Sequence, residues 1–427
     1  MRTFPRARRA FVASLAVALT AGLSLSMASP ATAFPRPQDQ LPRGTLITPA
    51  TFGTHVSNMQ NGVWPTIPVG SLRIWDKDTS WSRIETQPGV FDWTVLDRIV
   101  AEAEAKGVRD IMMVLAGTPQ WASRTPNSTG HPGQVPGEQG MPTDLALWDR
   151  WVTEVVTRYK GRITSYQPWN EANLVTFFNG TPQEMADLTK RTYDIVKRID
   201  PAALVAAPST GTRLARPFRV FYPAYLRALA ARGWPVDAFT AHTYPSGTGT
   251  PRDRQNLIIE WKRMLRAAGA PNKPLWDTEI NFGLRGPGPT PKRDYVGFQA
   301  QRLTALSYLD AMRFGVDRAY WYYWSAAPEP LLGVQMTPGS PASRSLATLQ
   351  DWLVGARYQR CRTAAASRVI CNFRKDGQRM QVVWSETKRR VFTAPRFARQ
   401  VCNLNNVCRA VPNNRKVRTL GPVLLKP

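Results

Sequence analysis

The feature that most constrains the fold is a repeated alternation of short apolar runs with longer amphipathic stretches, from about residue 44 to residue 355. The short runs are rich in β-branched and aromatic residues and predict strands, whereas the amphipathic stretches predict helices. This alternation indicates parallel strands linked by helical crossovers. The strand candidates are residues 46–56, 72–75, 109–115, 163–169, 203–207, 236–242, 274–280 and 318–324. Eight such units predict an α/β fold of the (β/α)8 TIM-barrel type.

Helix start signals support this interpretation. Asp92 precedes an amphipathic stretch that ends at Gly107, and Thr181-Pro-Gln-Glu184 has the form of a capping box with proline at the first helical position. The first unit is the weakest, because Pro65 and Pro68 leave room for at most a short helix.

After residue 355 the pattern changes to short alternating segments near residues 367–373, 380–384 and 417–425, separated by turn-forming residues. This change predicts a small antiparallel β domain over residues 356–427, and residues 34–355 would then form the barrel domain.

All the cysteines of the chain lie in the C-terminal segment, at Cys361, Cys371, Cys402 and Cys408. In an exported protein an even number of cysteines predicts disulfides, and three pairings are possible. The local pairing, Cys361 with Cys371 and Cys402 with Cys408, is favoured. No CxxC spacing is present, so a zinc site is not expected.

The first 33 residues have the order of a secretory signal peptide. An arginine-rich start is followed by an apolar stretch from Ala10 to about Leu25 and then by Ala31-Thr-Ala33. An uncleaved anchor is the alternative, but the apolar run is short and is interrupted by serine and threonine. We therefore expect cleavage after Ala33 and a secreted protein.

The chain is strongly basic, with a formal charge of +26 that falls to +22 when the four arginines of the signal are removed. Such a charge attracts anionic polymers, whether acidic polysaccharide, envelope phosphate or nucleic acid, in a salt-sensitive way. The alternative is a general compositional bias toward arginine. Because lysine and arginine are spread along the whole length, the sequence favours this second interpretation.

Two short segments carry the candidate chemistry. Tyr166-Gln-Pro-Trp-Asn-Glu171 and, 108 positions after Glu171, a segment ending Trp-Asp-Thr-Glu279 each place a carboxylate where an apolar run ends. In a (β/α)8 barrel the active site lies at the C-terminal ends of the strands, so both glutamates are expected in one cleft. The tryptophan, asparagine and threonine before them suit a sugar ring and its hydroxyls. Two carboxylates in one cleft are the minimum equipment for cleaving a glycosidic bond.

Other polar or aromatic residues are expected at the same end of the barrel, namely His55, Arg73, Trp121, His242, Tyr244 and Trp324. For Trp75, Trp81 and Trp121, stacking against sugars in more distant subsites competes with burial in the core. His55 is either a substrate-binding residue or a satisfied structural histidine. The chain has three histidines in all, which disfavours a metallohydrolase or a Ser-His-Asp enzyme, so no metal and no cofactor are expected.

With Trp169-Asn-Glu171 at the fourth strand and Thr278-Glu279 at the seventh, residues 44–355 resemble clan A glycoside hydrolases, in particular secreted enzymes similar to family 39 and to the cellulase family 5. The resemblance implies that Glu171 is the general acid/base and Glu279 the nucleophile of a retaining mechanism. It also implies that Asn170 binds the sugar 2-hydroxyl.

The same resemblance implies supporting roles for four further residues. Arg73 would keep the nucleophile ionised, Tyr244 would orient it, His242 would line the same subsite, and Trp324 would form the stacking floor. The sequence departs from the family pattern in two places, since Ala172 stands where many relatives have proline and Ile-Asn-Phe-Gly follows Glu279.

Two other classes of function compete with a hydrolase that acts on a polysaccharide or oligosaccharide. One is a barrel that binds glycan without turnover, and the other is a basic protein that binds anionic polymer by charge alone. Retention of both glutamates counts against the first. Within the enzyme class, hydrolysis and transglycosylation are both compatible with the residues, and the charge favours an acidic or envelope-derived glycan over a specific nucleic acid.

Overall fold

The computed structural model describes residues 39–75, 78–131, 133–286 and 291–427. The expected signal peptide lies outside these residues. The described residues belong to one compact unit. Within the described part of the chain, no helix has the length and apolar character needed to cross a membrane.

Eight parallel strands form the central sheet: β1 (Phe52–Val56), β2 (Ser71–Ile74), β3 (Ile111–Val114), β4 (Ser165–Gln167), β5 (Leu204–Val205), β6 (Phe239–Ala241), β7 (Leu275–Ile280) and β8 (Arg318–Trp324). The strand order β5-β4-β3-β2-β1-β8-β7-β6 joins the last strand to the first. A parallel bridge between Ala206 and Ala238 then connects the two ends of the sheet. The predicted (β/α)8 fold is confirmed, and each predicted run overlaps one strand.

Eight helices accompany the strands among the described residues: α1 (Trp81–Ile84), α2 (Thr94–Ala105), α3 (Leu145–Arg158), α4 (Pro182–Ile199), α5 (Ala215–Ala230), α6 (Pro251–Ala267), α7 (Gly297–Arg313) and α8 (Pro341–Leu353). The predicted capping box forms at α4, where Thr181 and Glu184 exchange side-chain and backbone hydrogen bonds. In the first unit, which contains two prolines, a short 3₁₀ helix spans Met59–Asn61.

Apolar packing fills both sides of the barrel wall. Outside the sheet, Trp81 stacks on Trp151 with ring centroids 6.0 Å apart. Inside, the side chains of Met112, Trp276 and Tyr320 belong to a separate buried cluster that closes the barrel core. The barrel is therefore a packed body, as the fold requires.

An antiparallel region follows the barrel and consists of β9 (Arg357–Ala364), β10 (Arg368–Lys375), β11 (Gln378–Ser385), β12 (Arg390–Thr393), β13 (Gln400–Cys402), β14 (Cys408–Ala410), β15 (Lys416–Thr419) and β16 (Val423–Lys426). Six strands form one sheet in the order β14-β13-β16-β11-β10-β9, and β12 pairs with β15. The single segment expected over residues 417–425 is divided, because Gly421 and Pro422 separate β15 from β16.

The structure forms both disulfides in the pairing that the spacing favoured. Cys361 and Cys371 are directly opposite each other on β9 and β10, and Cys402 and Cys408 are opposite on β13 and β14. Each bond therefore joins neighbouring strands of the same sheet.

A buried charge cluster ties the antiparallel region to the helices of the barrel. The fully buried guanidinium of Arg313 on α7 donates to Glu386 Oε1 at 2.8 Å and lies 3.3 Å from Asp310. Arg252 on α6 donates to the other Glu386 oxygen at 2.7 Å. Glu386 follows β11, so one carboxylate neutralises cations from two barrel helices.

We predict that Glu386→Ala destabilises the protein by about 3 kcal/mol, because breaking a buried ion pair from one side is strongly destabilising and the buried Arg313 guanidinium loses the nearer of its two carboxylates. Chemical denaturation of the two proteins measures this change in the free energy of unfolding.

The matched control is Asp194→Ala, which removes the acid of an exposed ion pair with Lys190 whose side chains are 43% and 53% exposed. We expect it to cost less than about 1 kcal/mol. Equal losses in the two variants would show that the Glu386 cluster does not hold the two regions together.

Candidate active site

A cleft of about 580 Å³ opens at the C-terminal ends of the barrel strands. Both candidate glutamates line it, together with Asn170 and Tyr244. Asn170 and Glu171 follow β4, Tyr244 follows β6, and Glu279 lies near the end of β7. These strand ends meet at one end of the barrel, so the residues share one site.

Glu279 on β7 is held by donors from two other strand ends. Arg73 Nη1, from β2, donates to Glu279 Oε1 at 2.7 Å, and the Tyr244 hydroxyl donates to Oε2 at 2.9 Å. The Arg73 guanidinium is fully buried, and the Glu279 side chain is 7% exposed. The two donors fix the orientation of the carboxylate and place a permanent positive charge beside it.

Arg73 also reaches β4 and the residue before Glu171. Its Nε and Nη2 donate to Gln167 Oε1 at 3.0 and 2.7 Å, and Nη2 donates to Asn170 Oδ1 at 2.8 Å. Gln167 in turn donates to Thr240 Oγ1 on β6 and to the Ala207 carbonyl after β5. One buried network thus fixes the ends of five strands relative to each other.

A second buried network lies behind Tyr244. The backbone N–H and the hydroxyl of Thr243 both donate to the Asp277 carboxylate, and Arg254 Nη2 donates to the same group at 2.8 Å. This network fixes the segment from His242 to Tyr244 against β7, the strand that also carries Glu279. The Tyr244 hydroxyl is thereby held beside the Glu279 carboxylate.

Glu171 follows β4 in a backbone conformation that non-glycine residues rarely adopt, with φ of +40°. Its N–H donates to Ser209 Oγ at 3.1 Å. The Glu171 carboxylate packs against Gly211. Any larger residue at position 211 would clash with it, since a Cβ there would lie 2.5 Å from Glu171 Oε1. Burial raises the pKa of the Glu171 carboxyl, and the positive charges of Arg213 and Arg73 oppose that shift.

His242 lies between the two carboxylates. Its Nδ1 is 3.1 Å from Glu171 Oε1 and 3.4 Å from Glu279 Oε2, so these oxygens are at most about 6.5 Å apart, the sum of the two distances. Burial lowers the pKa of His242 to about 4. The neutral ring carries its proton on Nδ1, because both neighbours of that atom are acceptors, and Nε2 has no hydrogen-bond partner among the described residues.

His55 is a satisfied structural histidine, which is one of the two alternatives that the sequence left open. Its Nε2 donates to the Thr278 carbonyl at 3.0 Å, and its ring packs edge-on against Tyr322 with centroids 5.1 Å apart. The imidazole is buried below the cleft, beside Arg73. Burial and the charge of Arg73 lower its pKa well below the usual value.

The expectation that Trp324 forms the floor of the cleft is wrong. Trp324 is 2% exposed, it pairs with Val56 of β1 and with Met336, and it does not line the cleft. Its place is taken by Tyr322 and Tyr323 of β8, which do line the cleft. The prediction failed because the position along the strand, and not the size of the ring, decides which aromatic residue faces the site.

Trp121 also lies outside the cleft lining, so its expected role in substrate binding is not supported. Its indole Nε1 donates to the Glu85 carbonyl at 3.1 Å, and the Arg150 guanidinium lies 5.9 Å from its ring. Both contacts direct the ring toward the helices around the barrel, which is the packing alternative.

Arg213, Phe177 and His131 line the cleft and had no assigned role in the sequence, whereas for Trp75 stacking was one of two alternatives. Arg213 lies in the loop between β5 and α5. It donates to the Leu284 carbonyl at 3.1 Å, and its guanidinium lies 5.2 Å from the Tyr244 ring. Trp75, Phe177 and His131 form an aromatic wall, in which the His131 and Phe177 rings stack with centroids 5.2 Å apart. Single loop residues have no periodic pattern, so the sequence offered no signal for them.

The (β/α)8 barrel has carboxylates at the ends of β4 and β7, and the second is held by an arginine from β2 and a tyrosine after β6, which is the arrangement that the resemblance to clan A glycoside hydrolases implies. The family model described as β-galactosidase, glycoside hydrolase family 42, matches residues 74–135. No curated protein matches the chain in sequence.

Solved structures of glycosidases are similar to the chain in fold. A bifunctional glucanase-xylanase from a metagenome library superposes with a TM-score of 0.59 at 14% identity, over 90% of this chain and 97% of that one. A family 30 endoxylanase from Clostridium papyrosolvens gives 0.58 at 15% identity, over 90% and 97%. A glucosidase from Croceicoccus marinus gives 0.56 at 14% identity, over 88% and 84%. These likenesses show the (β/α)8 fold and do not single out family 39 or family 5.

We predict that His242 makes the protein less stable as the pH falls from 6.5 toward 4. In this range the imidazole takes up a proton in the unfolded chain but stays neutral in the fold, so acid favours unfolding. A pKa of about 4 in the fold against about 6.5 in the unfolded chain corresponds to roughly 3 kcal/mol over that range.

Urea denaturation of the native protein and His242→Gln across this pH range tests the prediction. The difference between the two curves isolates the imidazole from carboxyl groups that titrate nearby, and His131→Gln, which removes an exposed imidazole from the cleft wall, is the control. Parallel curves for the native protein and His242→Gln would contradict a neutral buried histidine.

Proposed function

We propose that the protein is a secreted retaining glycoside hydrolase that cleaves a polysaccharide or oligosaccharide, with Glu171 as general acid/base and Glu279 as nucleophile. The observation that carries this proposal is the approach of both carboxylates to one atom, His242 Nδ1, at 3.1 and 3.4 Å. The two carboxylate oxygens are therefore at most about 6.5 Å apart, which includes the roughly 5 to 5.5 Å of retaining enzymes and only reaches the lower limit of the roughly 6.5 to 9.5 Å that inverting enzymes need to admit a water molecule.

In the first step, ionised Glu279 attacks the anomeric carbon while the Glu171 carboxyl protonates the leaving glycosidic oxygen. The glycosidic C–O bond breaks and a glycosyl ester forms on Glu279. The raised pKa of Glu171 supports its role as the acid, because the group must hold its proton near neutral pH. Arg73 and Tyr244 hold the nucleophile in place for the attack.

In the second step, the Glu171 carboxylate removes a proton from water, the water oxygen attacks the anomeric carbon and the ester bond to Glu279 breaks. His242 Nδ1 lies 3.1 Å from Glu171 Oε1 and donates to the carboxylate form of this residue. The neutral imidazole therefore stabilises the charge that appears on Glu171 between the two steps without competing for its proton.

Asn170 is suited to binding a sugar hydroxyl beside the nucleophile. Arg73 donates to its Oδ1, which fixes the side-chain amide with the oxygen toward the guanidinium. The NH₂ group is then free to donate to a substrate in the cleft that Asn170 lines. The aromatic wall of Trp75, Phe177 and His131 supplies surfaces on which further sugar rings can stack.

The remaining parts of the proposal concern organisation and location. Residues 1–33 would be the signal peptide, residues 34–355 the catalytic domain and residues 356–427 a small β domain. Two disulfides in the β region fit an oxidising, extracellular environment.

We predict that the mature protein releases reducing sugar from at least one member of a panel of polysaccharides and aryl β-glycosides, and that Glu279→Ala lowers this rate by roughly 10⁴-fold or more. Glu171→Ala should lower the rate by roughly 10² to 10⁴-fold on substrates that need protonation of the leaving group. On aryl glycosides with an acidic phenol the loss is expected to be smaller, and added azide should restore turnover by intercepting the glycosyl ester.

Glu138→Gln is the matched control. Glu138 is a third carboxyl that lines the same cleft, but it is hydrogen-bonded to Ser80 and Ser82 and has no contact with Arg73 or His242 among the described residues. Its loss should lower the rate far less. Normal turnover by Glu279→Ala would disprove the assignment, and glycan binding without turnover in the native protein would favour a binding protein.

A further inference from the structure

The positive charge of the chain is concentrated in the C-terminal β region. Residues 356–427 contain 17 of the 56 lysines and arginines but only two of the 30 acidic residues, Asp376 and Glu386, so they hold a charge of +15 out of +26. Lysine and arginine themselves are spread along the whole length. The imbalance arises mainly from the lack of acids.

The basic residues of this region also have no acidic partners. Residues 356–427 are all described, and none of their arginines or lysines lies within 4.0 Å of a carboxylate of any described residue. Glu386, one of the two acids, is occupied by Arg252 and Arg313 of the barrel.

The barrel behaves differently. Several of its arginines form ion pairs near the surface, such as Arg158 with Asp97, Arg162 with Glu104 and Arg219 with Glu260. A compositional bias toward arginine would act on the whole chain, so it does not explain why residues 34–355 carry a charge of +7 over 322 residues while residues 356–427 carry +15 over 72.

Five exposed arginines lie on one face of the sheet, which we call the basic sheet face: Arg357, Arg360, Arg362, Arg374 and Arg379. Arg374 on β10 is directly opposite Arg357 on β9 and Arg379 on β11. Directly opposed residues of antiparallel strands point to the same side, with Cα atoms about 5 Å apart. Residues on the other side, such as Cys371 and Phe373, are buried.

Like charges directly opposite each other destabilise a sheet. No carboxylate of the described residues lies within 4.0 Å of these arginines, so a bound anion would supply a favourable counter-charge. Arginine is suited to this task, because its planar guanidinium forms paired hydrogen bonds with carboxylate, sulfate or phosphate.

We propose that the basic sheet face binds an anionic polysaccharide, with carboxylate or sulfate groups of successive sugars paired to its arginines. The choice of a polysaccharide rests on the proposed function of the barrel. It also agrees with the side chains present, because no aromatic residue of 356–427 is exposed and single-stranded nucleic acid is usually held by stacking bases on such rings. Binding here raises the local concentration of sugar chain at the barrel cleft.

The test measures binding by the full mature chain carrying Glu279→Gln, which prevents digestion of the polymer. The probes are polygalacturonate as the carboxylated polymer, heparin as the sulfated one, neutral xylan and DNA, at low and high salt. The Arg357→Gln/Arg374→Gln/Arg379→Gln variant is compared with Arg98→Gln/Arg198→Gln/Arg263→Gln, which removes the same charge from exposed barrel positions.

We expect one of the two acidic polysaccharides to bind in a salt-sensitive way, and the sheet variant to lose roughly tenfold in affinity while the barrel variant changes less than about twofold. Which polymer binds distinguishes carboxylate from sulfate recognition. Equal losses in the two variants, absence of binding to both acidic polymers, or tighter binding to DNA would overturn the proposal.

Two further measurements separate this proposal from the catalytic one. Turnover of small aryl glycosides with Glu279 intact should be unchanged in the sheet variant, because its arginines lie outside the cleft. Its thermal unfolding should be no easier than that of the native protein, since the substitutions remove like-charge repulsion. Because the binding assay needs no turnover, a protein without glycosidase activity can still pass it, and an active one can fail it.

Discussion

The site depends on one buried arginine. Arg73 lies fully buried among the strand ends, and desolvating its charge is costly unless every donor is satisfied. It meets that requirement by bonding to Glu279, Gln167 and Asn170 at once. Because the guanidinium is a rigid planar fork, these three acceptors must keep a fixed geometry relative to Arg73 on β2, and this fixes the ends of β4 and β7 relative to β2. A lysine would provide the charge but not this geometry. The orientation of the Glu279 carboxylate is therefore a consequence of packing in the barrel.

The two carboxylates differ because their surroundings differ. Glu279 receives hydrogen bonds from a guanidinium and a hydroxyl, whereas Glu171 faces a neutral imidazole and has its pKa raised by burial. Burial also lowers the pKa of His242, so the ring between the acids adds no charge near neutral pH. Glu171 can thus keep its proton toward neutral pH, as a general acid must, while Glu279 is fixed in place by two donors. Arg213 limits the rise in the pKa of Glu171.

Periodicity predicted the fold because barrel strands are buried on both faces and their apolar runs are continuous. Arg73, Glu171, Tyr244 and Glu279 were found from their positions at strand ends, since parallel strands bring these ends together. Trp324 was misplaced because the pattern of β8 does not show which of its aromatic residues points into the cleft. Gln167 was missed because a single polar residue inside an apolar strand carries no pattern, and its role depends on Arg73, 94 positions earlier. The charge imbalance was missed because it lies in the absence of acids.

The most direct test of the account is to trap the covalent glycosyl ester. Activated 2-deoxy-2-fluoro β-glycosides slow the second step more than the first, so a retaining enzyme accumulates the intermediate. After incubation with a set of such reagents, intact-protein mass spectrometry should show one added fluoroglycosyl group, and peptide mapping should place it on Glu279. A label on Glu171 or another residue, or an active enzyme whose first-formed product has inverted anomeric configuration, would contradict the account.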